Sequence, residues 1–275
     1  MRLPYFVADA FAAGPFTGNP AAVVPLDAWV PDALMQAIAE QHNLAETAFV
    51  VVHPDEQGAR ALRWFTPARE VRLCGHATLA TAFALCDVLK FPGAEFAFAT
   101  LSGKLTCARE APGRYRMTFP ADEPRPAGNL AAALRRIAGD EHLAADRMAQ
   151  GTDDALIAFG SAREVLDFEV PDSLVRALPK RGLIVTAPGE HGYDVYSRCF
   201  YPEFGVDEDA ATGSAHTLLG VYWSRRLGKS RLRCRQASRR GGDIDVHYAG
   251  AGEISLTGRV RLYAHGELET GDGAA

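Results

Sequence analysis

The sequence has no long apolar run, no basic excess and no paired cysteines, and each lack removes a class of function. No stretch approaches the ~20 consecutive apolar residues of a membrane helix, and the opening MRLPYFVADAF lacks the apolar core of a secretory signal. A cytoplasmic protein that does not engage a membrane is expected. Lys and Arg number 29 against 34 Asp and Glu, a net charge of -5, so the positive footprint of a nucleic-acid binder is missing. The one basic cluster, Arg231 to Arg235 followed by Arg239 and Arg240, reads as a solvated strand and turn. Five cysteines, an odd number without a C-x-x-C pair, argue against a disulfide framework and against structural zinc. They should be reduced, buried small hydrophobes.

What is present suits a large core. With 275 residues, 48% of them hydrophobic, the chain can form one large domain or two of medium size. PYFVADAF and Ala21 to Val24 read as strands around a loop punctuated by Gly14, Pro15, Gly18 and Pro20. A helix follows Pro31, with Leu34, Ala37, Ile38 and Gln41 on one face and Asn43 as its end. ETAFVVV is a strand entered at Glu46, and Gly58 turns it into the strand ALRWFT. From Gly75 to Leu89 the chain is apolar on every helical face, the pattern of a helix buried all round, here within a curled sheet. Further strands follow in FAFATLSGKLTCARE and GRYRMTFP, and the Pro-rich ADEPRPAG (121–128) looks like a boundary. Beyond it come a helix-rich patch near 129–150, a strand in ALIAFG, a helix near 171–178 and a strand in GLIVTAP.

The two halves share a repeat. Arg63-Trp64-Phe65-Thr66-Pro67 matches Arg198-Cys199-Phe200-Tyr201-Pro202 as R-x-F-x-P, and an apolar helix begins at Gly75 and again at Gly213. Gly75 lies 12 residues after Arg63 and Gly213 lies 15 after Arg198, so the second copy carries a short insertion. Each helix start offers unpaired N–H groups and partial positive charge. If the copies pack face to face, the two starts can cradle a small carboxylate. Gly75 and Gly213 would let a ligand approach the backbone. His76 and Ser214 add hydrogen-bonding side chains, although a core imidazole and a simple N-cap remain equally good readings of them.

Carboxylates near these turns are candidates for proton transfer. Asp209 precedes Gly213, but Asp207 and Glu208 beside it cannot be distinguished from it by spacing. Glu46 stands alone among apolar residues; if buried there, its pKa should rise toward neutrality, as a general base or acid requires. No metal is expected, because neither H-x-x-x-H nor C-x-x-C accompanies Cys74 and His76. A Cys74–His76 nucleophile pair is also disfavoured, since positions two apart at a helix start should diverge. Ser214 is not in a G-x-S-x-G elbow.

The segments DAFAAGPFTGNPAAVV, NLAETAFV, RWFTPAREVRLCGHATLA, DEDAATGSAH and SLTGRVRLYAHGEL resemble the signature regions of the PhzF-like phenazine-biosynthesis isomerases, in both halves of the chain. The resemblance implies an α+β, diaminopimelate-epimerase-like fold: two pseudo-symmetric domains, each a mostly antiparallel curled sheet around a central buried helix, with the active site between them. The domains would span 1–120 and 121–261, with the tail 262–275 packing on the first. It implies cofactor-free chemistry, a homodimer and a small carboxylate-bearing metabolite as substrate. It gives Glu46 the proton-shuttle role, His76 and Asp209 supporting catalytic roles, and Gly75, His76, Gly213 and Ser214 substrate binding. Related epimerases carry a cysteine before each glycine; this chain has Cys74 before Gly75 but Thr212 before Gly213. Thiol racemisation is therefore disfavoured, while a Cys74 dehydratase or epimerase, or a noncatalytic metabolite-binding protein on the same fold, remain the alternatives.

Overall fold

The computed structural model describes residues 1–202, 206–250 and 252–271. It divides into two compact units, Met1–Thr118 with the chain from Thr257 onward, and Phe119–Leu256.

In the first unit the elements run β1 (Arg2–Ala10), β2 (Asn19–Leu26), α1 (Asp32–His42), β3 (Glu46–Val51), β4 (Ala59–Phe65), β5 (Glu70–Val71), α2 (Gly75–Phe83), β6 (Glu95–Thr100), β7 (Gly103–Ala111) and β8 (Arg114–Pro120). Strands β1-β2-β3-β4-β6-β7-β8 lie side by side in that order, followed by the chain's last strand. That strand pairs back onto β1, from Ala10↔Val260 to Arg2↔Glu269, and closes an eight-stranded barrel. Pairs β2–β3 and β4–β6 are parallel, whereas β1–β2, β3–β4, β6–β7 and β7–β8 are antiparallel. Helix α2 packs against β1, β2, β3 and β7 and buries every residue from His76 to Phe83. It runs on as a single π-helical turn, Ala84–Val88. Its small side chains let the strands close around it. Buried Thr78 and Thr81 donate their hydroxyls to Cys74 O and Ala77 O, at 2.6 and 2.7 Å, so neither hydroxyl is left unpaired inside the barrel.

Helix α1 differs from expectation in the face it buries. Met35, Ile38 and Ala39 join Leu3, Val24, Leu26, Phe49 and Phe65 in one apolar cluster, while Ala37 and Gln41 are exposed. The helix is too short for its pattern to fix the face; the shape of the β1–β3 surface decides it. Asn43 ends it in a left-handed conformation (φ 49°) with its N–H on Ala39 O.

The second unit contains β9 (Arg125–Pro126), α3 (Ala131–Ala138), β10 (Met148–Gln150), β11 (Asp154–Ala158), α4 (Ala162–Asp167), α5 (Asp172–Arg176), β12 (Gly182–Pro188), β13 (Val195–Phe200), α6 (Gly213–Leu227), β14 (Arg231–Gln236), β15 (Gly242–Tyr248) and the start of β16 (Glu253–Glu269). The strands lie in the order β9 to β16. The direction pattern of β11-β12-β13-β14-β15 repeats that of β2-β3-β4-β6-β7: parallel, antiparallel, parallel, antiparallel. Helix α6 packs on β14 and β15 and buries Ala215, Leu218, Leu219, Val221 and Trp223, and Gly228 caps it at φ 65°. Gly220 lets β15 and β16 approach, because a Cβ there would lie 2.4 Å from Ile254 Cδ1. On the other face Leu134, Val165 and Val175 from α3, α4 and α5 join a second apolar cluster. Helix α4 was not foreseen, yet Ser161 and Glu164 form a capping pair at its start.

The R-x-F-x-P repeat has one structural meaning in both units. Arg63 forks onto both carboxylate oxygens of Glu70 at 2.7 and 2.8 Å, and Arg198 onto those of Glu208 at 2.7 and 3.2 Å. Each guanidinium also lies over the phenyl ring two residues on, 5.2 Å above Phe65 and 4.9 Å above Phe200. The fork ties the strand to the loop that leads into the buried helix. Replacing Arg198 by Ala should lower stability by about 1–3 kcal/mol, the worth of charge-assisted hydrogen bonds. Lys should restore little of it, since it lacks the planar fork; urea unfolding measures both.

Candidate functional site

In the first unit three sequence candidates come together. Glu46 is the first residue of β3, Cys74 is the N-cap of α2 and His76 is that helix's second residue. His76 Nε2 lies 3.1 Å from Glu46 Oε2, and His76 Nδ1 lies 3.5 Å from Cys74 Sγ. The carboxylate sits off the ring's N–H direction, so the Glu46 contact is an ion pair more than an aligned hydrogen bond. The thiol does meet the imidazole, contrary to expectation. Cys74 has extended backbone (φ -147°, ψ 105°), outside the helical spacing from which divergence was inferred, and this turns its side chain toward the ring.

Burial also acts on Glu46 differently from expectation. Desolvation pushes its pKa up, but the charge and hydrogen bonding of His76, with Cys74, outweigh this and hold it below its ordinary 4.5. On His76, burial disfavours the imidazolium, and the Cys74 sulfur on one ring nitrogen with the charged Glu46 on the other more than reverse that, raising it well above 6.5. Burial and Glu46 together push Cys74 up to about 11. At neutral pH the thiol is therefore uncharged, and Glu46 is the anion that keeps His76 protonated. The resting site is a carboxylate, an imidazolium and a thiol, enclosed in low dielectric.

This charge state sets a pH dependence. The raised His76 contributes stability that is complete below 6.5 and is lost as pH rises through its higher folded value; the lowered Glu46 contributes stability complete above 4.5 and lost as pH falls through its lower folded value. The pair is worth most between those two ordinary values. Glu46→Gln removes one of the two partners that raise His76, so the titration of His76 should move down from its wild-type position, as read by ¹⁵N imidazole NMR.

The donor atoms of Glu46, Cys74 and His76 all lie within 4.8 Å of one another, a grouping that could hold a metal ion. Yet the two ring nitrogens face different partners, and a single ion would need one nitrogen, the carboxylate and a thiolate on one side. The arrangement fits a proton relay better.

In the second unit Thr212, not Ser214, is the N-cap of α6. Gly75 and Gly213 are the first residues of their helices, and neither adopts positive φ. Asp209 accepts from Ala210 N at 2.9 Å and from the Thr212 hydroxyl. Fully buried Gln236 of β14 locks this loop: its Oε1 accepts from Thr212 N at 2.7 Å and its Nε2 donates to Asp209 O at 2.8 Å. Ser214 Oγ accepts from Arg181 Nη2 at 3.0 Å, and Arg181 forks onto Asp154, which is 3% exposed. His216 is buried, bonds Thr212 O at 2.8 Å, and burial pushes it down to about 4, leaving it neutral.

Strand register aligns the two units residue by residue. Glu46 faces Ala21 and the next residue Thr47 faces Phe65; Gly182 faces Asp154 and the next residue Leu183 faces Phe200. The counterpart of Glu46 is thus Gly182, that of Cys74 is Thr212 and that of His76 is Ser214. Carboxylate, thiol and imidazole are all absent from the matching positions of the second unit. Gln236, Arg181 and Asp154 were missed from sequence. Asp154 could have been found, since DDALIA sets a carboxylate at the entrance of an apolar strand just as ETAFVV does. Arg181 and Gln236 carry no such signal.

Two alike units, each winding strands around a buried helix, define an α+β fold of the epimerase-like class. The profile of the phenazine biosynthesis-like protein family matches residues 8–266, and the chain belongs to that family. A Pseudomonas aeruginosa protein named as an uncharacterized isomerase is 43% identical over 98% of this chain and 99% of its own. A Mus musculus phenazine biosynthesis-like domain-containing protein is 41% identical over the same shares of the two chains. The crystal structure of a PhzF-family protein from Enterococcus faecalis matches 98% of this chain and all of its own, with a TM-score of 0.88 and 37% identity. Among the described residues no helix is long and apolar enough to cross a membrane, and all five cysteines are free and buried.

Proposed function

We propose that this chain is an isomerase that moves a proton within a small amino or hydroxy carboxylic acid, cyclic in the reading the resemblance favours, without a cofactor. The observation that carries the proposal is the Glu46–His76 pair: its lowered pKa makes the carboxylate a weaker base than one tuned toward neutrality but keeps it ionised to accept a proton from carbon, and the imidazolium 3.1 Å away offsets this by stabilising charge that develops on the substrate. Glu46 takes the proton and returns it at another carbon. His76 polarises the substrate, Asp209 assists, and Gly75, Gly213 and Ser214 bind. The relatives' naming as isomerases supports this class. A homodimer belongs to the same proposal.

Chemistry by Cys74 is the weaker reading. Its thiol is neutral at pH 7, and its counterpart Thr212 cannot act as a second thiol base. The experiment is incubation in deuterium oxide with dihydro-hydroxyanthranilate-type and hydroxyproline-type acids, followed by mass spectrometry. Deuterium in a recovered isomer is the expected result. Loss of water would favour a dehydratase, and binding with neither outcome would favour a noncatalytic protein.

A further inference from the structure

We propose that Arg181, clamped by Asp154, is a positioning residue that occupies one lone pair of the Ser214 hydroxyl and turns its O–H toward the ligand, so that the group meeting it is preferably an acceptor, a carboxylate over an amide. The inference rests on the reading of Ser214 as a substrate contact. Ser214 Oγ already accepts from Arg181 Nη2 at 3.0 Å, which leaves its own O–H proton to point elsewhere. Arg181 cannot change roles, because a guanidinium has donors only. Nor is it free to swing: Nε and Nη2 are both bonded to Asp154, whose side chain is 4% exposed, and the guanidinium carbon lies 4.9 Å from the Tyr201 ring centre. Its backbone is held as well, with Arg181 N donating to Asp153 O at 2.8 Å and Gly182 beginning β12 next to it. A guanidinium N–H donating to the hydroxyl oxygen polarises its O–H and strengthens it as a donor, and the bond it makes to an ionised acceptor is the charge-assisted, stronger one. None of this network uses the proton-transfer residues of the first unit.

The test compares binding of anthranilate and anthranilamide, which differ in carboxylate against carboxamide, to the full chain by titration calorimetry at pH 7. The wild-type protein should prefer the carboxylate by about tenfold or more, as a charge-assisted hydrogen bond implies. Asp154→Asn combined with Arg181→Gln removes both charges, leaving neither buried alone, and should lower the ratio several-fold. Ser214→Ala should lower the ratio by the same factor, and adding the other two changes to it should lower the ratio no further. Arg181→Lys, which keeps charge but not the fork, should retain part of the preference and carries the test if the double variant fails to fold. A ratio that survives loss of the Arg181–Asp154 pair, or effects that add to those of Ser214→Ala, would overturn the proposal. If the wild-type protein shows no preference, or Ser214→Ala alone leaves the ratio intact, the reading of Ser214 as a substrate contact is lost. Deuterium uptake that depends on Glu46 would stand or fall separately.

Discussion

Glu46→Gln is expected to slow deuterium incorporation into an accepted substrate by about 10²–10⁴-fold, the range a positioned proton-transfer group contributes. The replacement is nearly isosteric, so the contacts at the start of β3 persist while the group can no longer take up a proton. It also removes the counter-charge of His76, so the imidazolium is weakened as the base is lost. The two losses act on one step and should not be separable by simple addition. Cys74→Ala, by contrast, removes a thiol that is neutral at pH 7 and should leave the rate within about an order of magnitude, since no charge leaves the site. Rapid-quench mass spectrometry on both variants decides the matter. Near wild-type turnover in Glu46→Gln together with abolition in Cys74→Ala would sink the assignment.

Gly182→Ala should cost about 3 kcal/mol or more, at the upper end of overpacking penalties, and lower the melting temperature by roughly 6–12 °C. A Cβ at this position would lie 2.2 Å from Tyr201 Cδ1 and 2.4 Å from Phe200 O. The carbonyl belongs to β13, where Phe200 is paired with Leu183 of β12, so it cannot retreat without breaking the ladder. The Tyr201 ring is likewise enclosed, 7% exposed beside Arg181. Scanning calorimetry checks this, and a shift under about 1 °C would show that the strands can part there at little cost. The same crowding has a functional side. The second unit has no room for a side chain where the first unit places Glu46, so among the described residues the carboxylate, imidazole and thiol are grouped in one copy of the duplicated fold only.

The sequence by itself determined the elements whose reasons are local. The largely apolar run from Gly75 reads as a helix enclosed by strands, and Asn43 ends its helix because it tolerates left-handed backbone. The twice-used R-x-F-x-P segment announced a repeated unit, since the same side chains at the same spacing make the same fork and stack. Glu46, Cys74 and His76 were legible as candidates. Tertiary structure alone decided what they do together. Whether Cys74 meets His76 depends on an extended N-cap that spacing does not encode. Whether Glu46 is raised or lowered depends on which charge is folded against it, a competition between desolvation and a neighbour 3.1 Å away that no linear pattern expresses. The Arg181–Asp154–Ser214 network was invisible for the same reason: its members come from three distant segments, strand register setting Arg181 beside Asp154 and the placement of α6 bringing Ser214 to them.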